Sequence, residues 1–267
     1  MKKLVTLGPA GTYAEIAAKA FIKNLKEDIK LSYEPSIDFC FEGFRESDYL
    51  VIPLENSIDG YIQRSLDLLL LHQASIIDEV NLPITFSLVS NEVSLDHVDT
   101  IYVQFKAKNQ CLNFLHQFKN WKYIITDSNA ESLALHLKNP TKTAAIVPGH
   151  LVKNDFSLVI NNLQDEASNQ TRFVLIKHQI EKPKKPTFKA MIVMSPNVDK
   201  PGLLHNLLGM FASHQINLTS ILSRPKRKSP GTYHFFLELK LDSASFESLL
   251  SVINEAKGLD IKLLGVY

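Results

Sequence analysis

"QIEKPKKPT", residues 179–187, divides this chain of 267 residues into two parts with different rhythms. It holds three lysines and two prolines and few apolar residues. Proline fixes its own backbone angle and removes an amide donor, so the stretch resists helix and sheet and reads as a linker.

Before the linker, apolar strands alternate with amphipathic helices. "KLVTL" (3–7) is a strand, "GPAGTYAE" (8–15) a glycine loop, and Ala17, Ala20, Phe21 and Leu25 follow at helical spacing. "DYLVIPLENSIDG" (48–60) repeats the strand and loop, and Ile62, Leu66, Leu69 and Leu70 share the next helical face. "ITFSLVS" and "TIYVQF" read as strands, and Cys111, Phe114, Leu115 and Phe118 predict one helix after them. "YIITD", "AESLALHL", "TAAIVP" and "LVINNL" continue the alternation. This pattern implies an α/β architecture with largely parallel sheets, whose sites lie in loops at strand ends.

After the linker comes a smaller unit. "FKAMIVMSP" is a strand, and Leu204, Leu207, Leu208 and Phe211 mark a helix. "INLTSIL" and "TYHFFLELKL" are strands joined by the turn chemistry of "RPKRKSPG". The second strand sets Tyr233, Phe235, Leu237, Leu239 and Leu241 on one face at period two. Phe246, Leu249, Leu250 and Ile253 mark a second helix, and "IKLLGVY" closes with a strand. The order βαββαβ is ferredoxin-like.

Bulk properties exclude several classes. Lys+Arg 29 against Asp+Glu 28 leaves a net charge of +1, which argues against partners bound by bulk charge: nucleic acid or an anionic membrane. No apolar run reaches the ~18 residues of a membrane span, and the start "MKKLVTLGPAG" is too short for a signal peptide. Cys40 and Cys111 sit in apolar company, which suits a reducing cytoplasm. The nine histidines are scattered without ligand spacing, so no metal is expected.

Single motifs have ordinary explanations. In "GPAGTY", Thr12 and Glu15 form a capping box, although Gly8 and Gly11 also let backbone N–H groups approach an anion. "PLENS" (53–57) is a polar turn, and "SNAES" (128–132) a helix start. "NQTRF" (169–173) places Thr171 and Arg172 at the mouth of a buried strand, where polar side chains reach solvent.

Their order is more informative. "GPAGTYAEIAA", "IPLENSIDG", "LDLL", "TRF", "PGLL" and "NLTSILSRP" follow one another over essentially the whole chain. The sequence thereby resembles the prephenate dehydratases. The resemblance implies a bilobed α/β catalytic domain, like periplasmic binding proteins, at 1–180, with lobes at roughly 1–80 plus 161–180 and at 81–160. It also implies a linker at 181–187 and a ferredoxin-like ACT regulatory domain at 188–267. The implied reaction turns prephenate into phenylpyruvate by loss of carbon dioxide and the ring hydroxyl, with no cofactor. The family's Ser-His-Pro-Gln stretch is replaced here by Val103, Gln104, Phe105 and Lys106, its acidic residue before Ser-Arg-Pro by Leu222, and a usual Ser by Ala14.

The implied catalytic residues are Thr171, Arg172, Glu55 and Asn56, with Ser57, Gly11, Thr12, Asn169, Phe173 and Gln104 binding substrate. Thr171 would donate to the leaving hydroxyl. Arg172 has two readings: reaching the substrate around the strand end, or bracing the loop. L-Phenylalanine as effector would meet Gly202, Leu203, Leu204, His205, Asn217, Leu218, Ser223 and Arg224 between paired ACT units, in a homodimer or homotetramer. Two other functions are compatible with the pattern: a non-catalytic amino-acid sensor and an arogenate dehydratase.

Overall fold

The computed structural model describes residues 1–72, 74–152, 155–181, 186–196, 200–226, 231–242, 245–256 and 259–267. Most of the expected linker, and the middle of "RPKRKSPG", lie outside the described residues.

The elements begin with β1 (Lys2–Leu7), α1 (Tyr13–Leu25), β2 (Ile29–Glu34), α2 (Ile37–Phe44), β3 (Tyr49–Asn56), β4 (Gly60–Tyr61), α3 (Gln63–His72) and β5 (Ser75–Pro83). Next come β6 (Phe86–Ser90), β7 (Thr100–Gln104), α4 (Phe105–Asn109), α5 (Leu112–Leu115), β8 (Lys122–Thr126), α6 (Asn129–Lys138), β9 (Thr143–Pro148), β10 (Leu158–Ile160) and β11 (Gln170–Lys177). The C-terminal part adds β12 (Thr187–Met194), α7 (Leu203–Ser213), β13 (Asn217–Pro225), β14 (Tyr233–Asp242), α8 (Ser245–Glu255) and β15 (Ile261–Val266). The ferredoxin-like βαββαβ order is the one expected after the linker.

Two compact units result. One takes Met1–Leu54, Tyr61–Val80 and Phe173–Tyr267, and the other Glu55–Gly60 and Asn81–Arg172. The second is built on a five-stranded sheet, β10-β6-β9-β7-β8. There β7 runs parallel to β8 and β9, while β6 is antiparallel to β9 and β10. The helix expected from Cys111 to Phe118 is the shorter α5, and α4 is a separate short helix before it. Asp165 sets where α5 begins: its carboxylate accepts the N–H groups of Leu112 and Asn113, both at 2.9 Å. The apolar spacing beyond it forms an aromatic cluster instead, with Phe118 stacked on Trp121 at 4.1 Å.

In the first unit the sheet runs β13-β14-β12-β15-β5-β11-β3-β1-β2, with β4 beside β3. β1 lies parallel to β2 and β3, and the C-terminal strands β12 to β15 pair antiparallel among themselves. The two parts join where Gly265 of β15 faces Ile76 of β5. Only glycine fits there. A Cβ on residue 265 would lie 2.6 Å from the Ile76 nitrogen and 2.7 Å from its Cβ, and would collide with its carbonyl oxygen.

On β12 and β14 of the C-terminal sheet, both faces carry buried residues. Ala190, Ile192, Leu237, Leu239 and Leu241 pack on Leu207 and Phe211 of α7 and Leu249 and Val252 of α8. The alternate residues Met191, Val193, Phe236 and Leu264 share a core with Leu66, Leu68 and Leu69 of α3. Of the face expected on β14, Leu237, Leu239 and Leu241 are buried and Phe235 partly so, whereas Tyr233 is exposed. Phe236, on the other side of β14, is buried because α3 covers it.

Candidate active site

β3 is buried from Tyr49 to Leu54, and its polar residues begin where that burial ends. Glu55, Asn56 and Ser57 therefore stand at the strand's carboxyl end, in the second unit, together with Asn169 to Arg172. Backbone and hydroxyl bonds join the two segments. Ser57 donates its N–H to the Gln170 carbonyl at 2.9 Å, and Gln170 donates its own to Ser57 Oγ at 2.9 Å. Ser57 Oγ donates in turn to the Ser168 carbonyl at 3.3 Å.

Asn56 is the centre of the arrangement. Its Oδ1 accepts the N–H groups of Ile58 at 3.0 Å and Asp59 at 3.1 Å, which settles which way the amide faces. Its Nδ2, with two protons, is then the donor side and faces three acceptors: Thr171 Oγ1 at 3.0 Å, Asn169 Oδ1 at 2.9 Å and the Gln170 carbonyl at 3.1 Å. Because the amide nitrogen of Asn56 cannot accept a hydrogen bond, the hydroxyl proton of Thr171 is turned away from it.

Asn169 is 1% exposed and supports this pair from behind. Its Nδ2 donates to Gln110 Oε1 at 3.1 Å, and its carbonyl accepts the Ile84 N–H at 2.9 Å. The Gln110 carbonyl accepts the Asp165 N–H at 2.7 Å, so Asp165 both starts α5 and fixes the turn that carries Gln110. Gln110 and Asp165 were not among the residues expected from sequence. Their only signals were the Gln-Cys pair closing "VQFKAKNQC" and a carboxylate shortly before "NQTRF".

Arg172 faces the opposite side of its strand from Thr171. Its Nη2 meets Glu55 Oε2 at 2.7 Å, with the Arg172 side chain 7% exposed and that of Glu55 34% exposed. Gln104 also lies in this unit, and its Oε1 caps α4 by accepting the N–H groups of Lys106 at 2.8 Å and Ala107 at 3.2 Å.

The other expected substrate ligands belong to the first unit. Gly11 donates its N–H to Glu15 Oε2 at 2.6 Å, so the anion at the entry of α1 is the chain's own carboxylate. Hydrogen bonds from Lys19, Tyr33 and Gly11 hold the Glu15 carboxyl down at about 2. Thr12 caps α1 by accepting the Glu15 N–H at 3.4 Å. Phe173 is buried, 3% exposed.

The expected effector residues gather in the C-terminal sheet and α7. Gly202 is the N-cap of α7 with φ 82, and a Cβ added there would meet nothing within 4 Å. Leu203, Leu204 and Leu218 pack partly buried on the core beneath α7 and α8. His205, Asn217 and Ser223 are exposed. Arg224 is held by α3, with Nε on Asp67 Oδ1 at 3.1 Å and Nη2 on Asp67 Oδ2 at 2.6 Å.

Among the described residues no group of three or more His, Cys, Asp and Glu is placed to hold a metal. No helix among them is long and apolar enough to cross a membrane. Burial pushes both thiols, Cys40 and Cys111, up to about 12.

Comparison with known proteins gives family matches over most of the chain. The family model described as "Prephenate dehydratase" matches residues 4–181, and that described as "ACT domain" matches residues 197–258. A prephenate dehydratase of Methanocaldococcus jannaschii is 31% identical over 270 residues, covering 100% of this chain and 98% of the relative. The solved prephenate dehydratase of Staphylococcus aureus matches with a TM-score of 0.83 at 30% identity, covering 99% of each chain. That of Arthrobacter aurescens, solved in complex with L-Phe, matches with a TM-score of 0.84 at 25% identity, covering 99% of this chain and 89% of its own.

Proposed function

The chain belongs to the prephenate dehydratase family, and we propose that it converts prephenate to phenylpyruvate at the strand ends that carry Asn56 and Thr171. The orientation of the Asn56 amide carries this reading. It makes Thr171 Oγ1 an acceptor toward Asn56, which directs the threonine proton outward as a donor.

In the reaction, the bond from the ring to the carboxylate breaks and its electron pair enters the ring. The bond from the ring to the hydroxyl breaks with its pair leaving on oxygen. The products are carbon dioxide, an aromatic ring and hydroxide, which takes a proton from solvent to become water. Electrons balance without an oxidant, so the chemistry calls for no redox cofactor. The main need is a donor at the oxygen where negative charge develops. Thr171 supplies it by position rather than by acidity. Arg172 acts behind the site: by neutralising Glu55 it removes a charge that would repel a dianionic substrate, and it ties the end of β3 to β11. Asn169 and Gln110 hold the Asn56 amide in place.

Residues 188–267 form the regulatory domain of this reading, after a catalytic domain at 1–180 and a linker at 181–187. L-Phenylalanine, bound near Gly202 and Asn217, lowers turnover. Among the described residues β13 has a strand neighbour on one side only, which suits pairing with a second copy in a dimer or tetramer. Two buried thiols suit a cytoplasmic setting.

The test is direct. Prephenate is added to purified protein and phenylpyruvate is followed by absorbance, with and without L-phenylalanine. Turnover that falls with L-phenylalanine is expected. No turnover at high protein concentration would favour an amino-acid sensor, and turnover of arogenate alone would assign the other dehydratase.

A further inference from the structure

Arg224 stands in the C-terminal sheet, yet its guanidinium is held by a helix of the N-terminal part. Nε and Nη2 fork onto the two oxygens of Asp67 on α3 at 3.1 and 2.6 Å, and Nη1 reaches Gln63 Oε1. Only 17% of the Arg224 side chain and 22% of that of Asp67 is exposed. A two-point charged contact of this kind fixes direction as well as distance. Leu222, two residues earlier on the same face of β13, packs against the core that contains Leu66 and Leu69 of α3. β13 thus grips α3 by one apolar and one charged contact, and the apolar one falls at the position where the resemblance leads one to expect an acid.

The other end of β13 begins with Asn217 and Leu218, on the effector side. Among the described residues β13 is the edge strand of its sheet, and its register against β14 shifts between Leu218 and Ser220. Thr219 Oγ1 bridges that irregularity to the Glu238 carbonyl at 3.1 Å. An edge strand with a bulge has one ladder to disturb, not two, so it moves at lower cost than its neighbours.

Beyond α3 the contacts continue toward the active site. Ser65 Oγ donates to the Pro53 carbonyl at 2.7 Å, and the Ile62 N–H donates to the Leu54 carbonyl at 2.8 Å. The next two residues along the chain are Glu55 and Asn56. A displacement of α3 therefore acts on the strand end that positions Thr171.

We propose that Arg224 and Asp67 are the coupling pair through which the effector state of residues 188–267 reaches Asn56. The proposal rests on the reading that this domain binds L-phenylalanine and lowers turnover. An effector changes activity only as far as it prefers one of two states. The preference is transmitted here by the position of β13, read out by its grip on α3.

The test uses the full chain and two readouts, L-phenylalanine binding by calorimetry and turnover with and without saturating L-phenylalanine. Asp67→Asn keeps the shape of the contact but removes the charge and one of two acceptors. The variant should bind L-phenylalanine as the parent does, while its inhibition ratio shrinks by about 5-fold or more, the lower end of usual allosteric coupling. Gln63→Ala, which removes only the third bond, should weaken inhibition less. It remains decisive should Asp67→Asn fail to fold. Inhibition as deep as the parent's, with binding intact, overturns the coupling pair. So does loss of L-phenylalanine binding in Asp67→Asn, which would make the pair part of the effector site. A parent that binds no L-phenylalanine overturns the regulatory reading itself, and the pair with it.

Discussion

Thr171→Ala should lower kcat by about 10²–10³-fold, the usual cost of removing one donor from a developing oxyanion. The structure gives a reason for expecting the loss without unfolding. Thr171 is half-buried, and its Oγ1 is one of three acceptors around Asn56 Nδ2. When it is removed, Asn169 Oδ1 and the Gln170 carbonyl still satisfy the amide, so no buried donor is orphaned. The melting temperature should therefore stay near that of the parent. Thr171→Ser keeps the oxygen and should retain most of the rate. A Thr171→Ala variant within threefold of the parent would remove this residue from catalysis.

Arg172→Ala should instead act first on stability. Removing one partner of a buried ion pair typically costs about 3–5 kcal/mol. With Glu55 34% exposed, water takes over part of the lost contact, so the lower end, about 3 kcal/mol, is expected. Arg172→Lys keeps the charge but loses the planar fork, and should fall between parent and alanine. Urea unfolding followed by circular dichroism measures both. If Arg172→Ala is as stable as the parent but inactive, Arg172 contacts substrate and does not brace the strand end.

The contrast between these two neighbours shows what was legible in the sequence. Period two at a strand end already separates the faces of Thr171 and Arg172. The continuous apolar run before Glu55, and the one after Arg172, mark where each strand leaves the core. Which strand end meets which is a different matter. Asn56 and Thr171 are 115 residues apart in the chain, and their meeting depends on the β3–β11 pairing. Gln110 was hidden for a related reason. It stands just before the apolar spacing that predicts a helix, and its turn is fixed by Asp165, 53 residues from the Leu112 N–H it accepts. β2 and β5 carry charged residues among their apolar ones, and neither they nor α2 were read from the pattern. The ferredoxin-like order was readable from local periodicity alone. The cover over its second face was not, because Phe236 has no explanation until α3 lies against it. The Arg224–Asp67 contact was likewise not legible, because Asp67 stood in the sequence only as part of a helical motif.

The central claim is that Asn56 aims the Thr171 proton at the leaving oxygen, and a double-mutant cycle on prephenate turnover tests it most directly. Asn56→Asp replaces the donating amide nitrogen with a carboxylate oxygen, which would accept the Thr171 proton and turn it inward. Three variants are compared with the parent by kcat: Asn56→Asp, Thr171→Ala and the double substitution. If the two residues act as one device, each single change costs a similar factor and the double costs no more than either. Losses that multiply in the double variant, or an Asn56→Asp variant with the parent's rate, would contradict it.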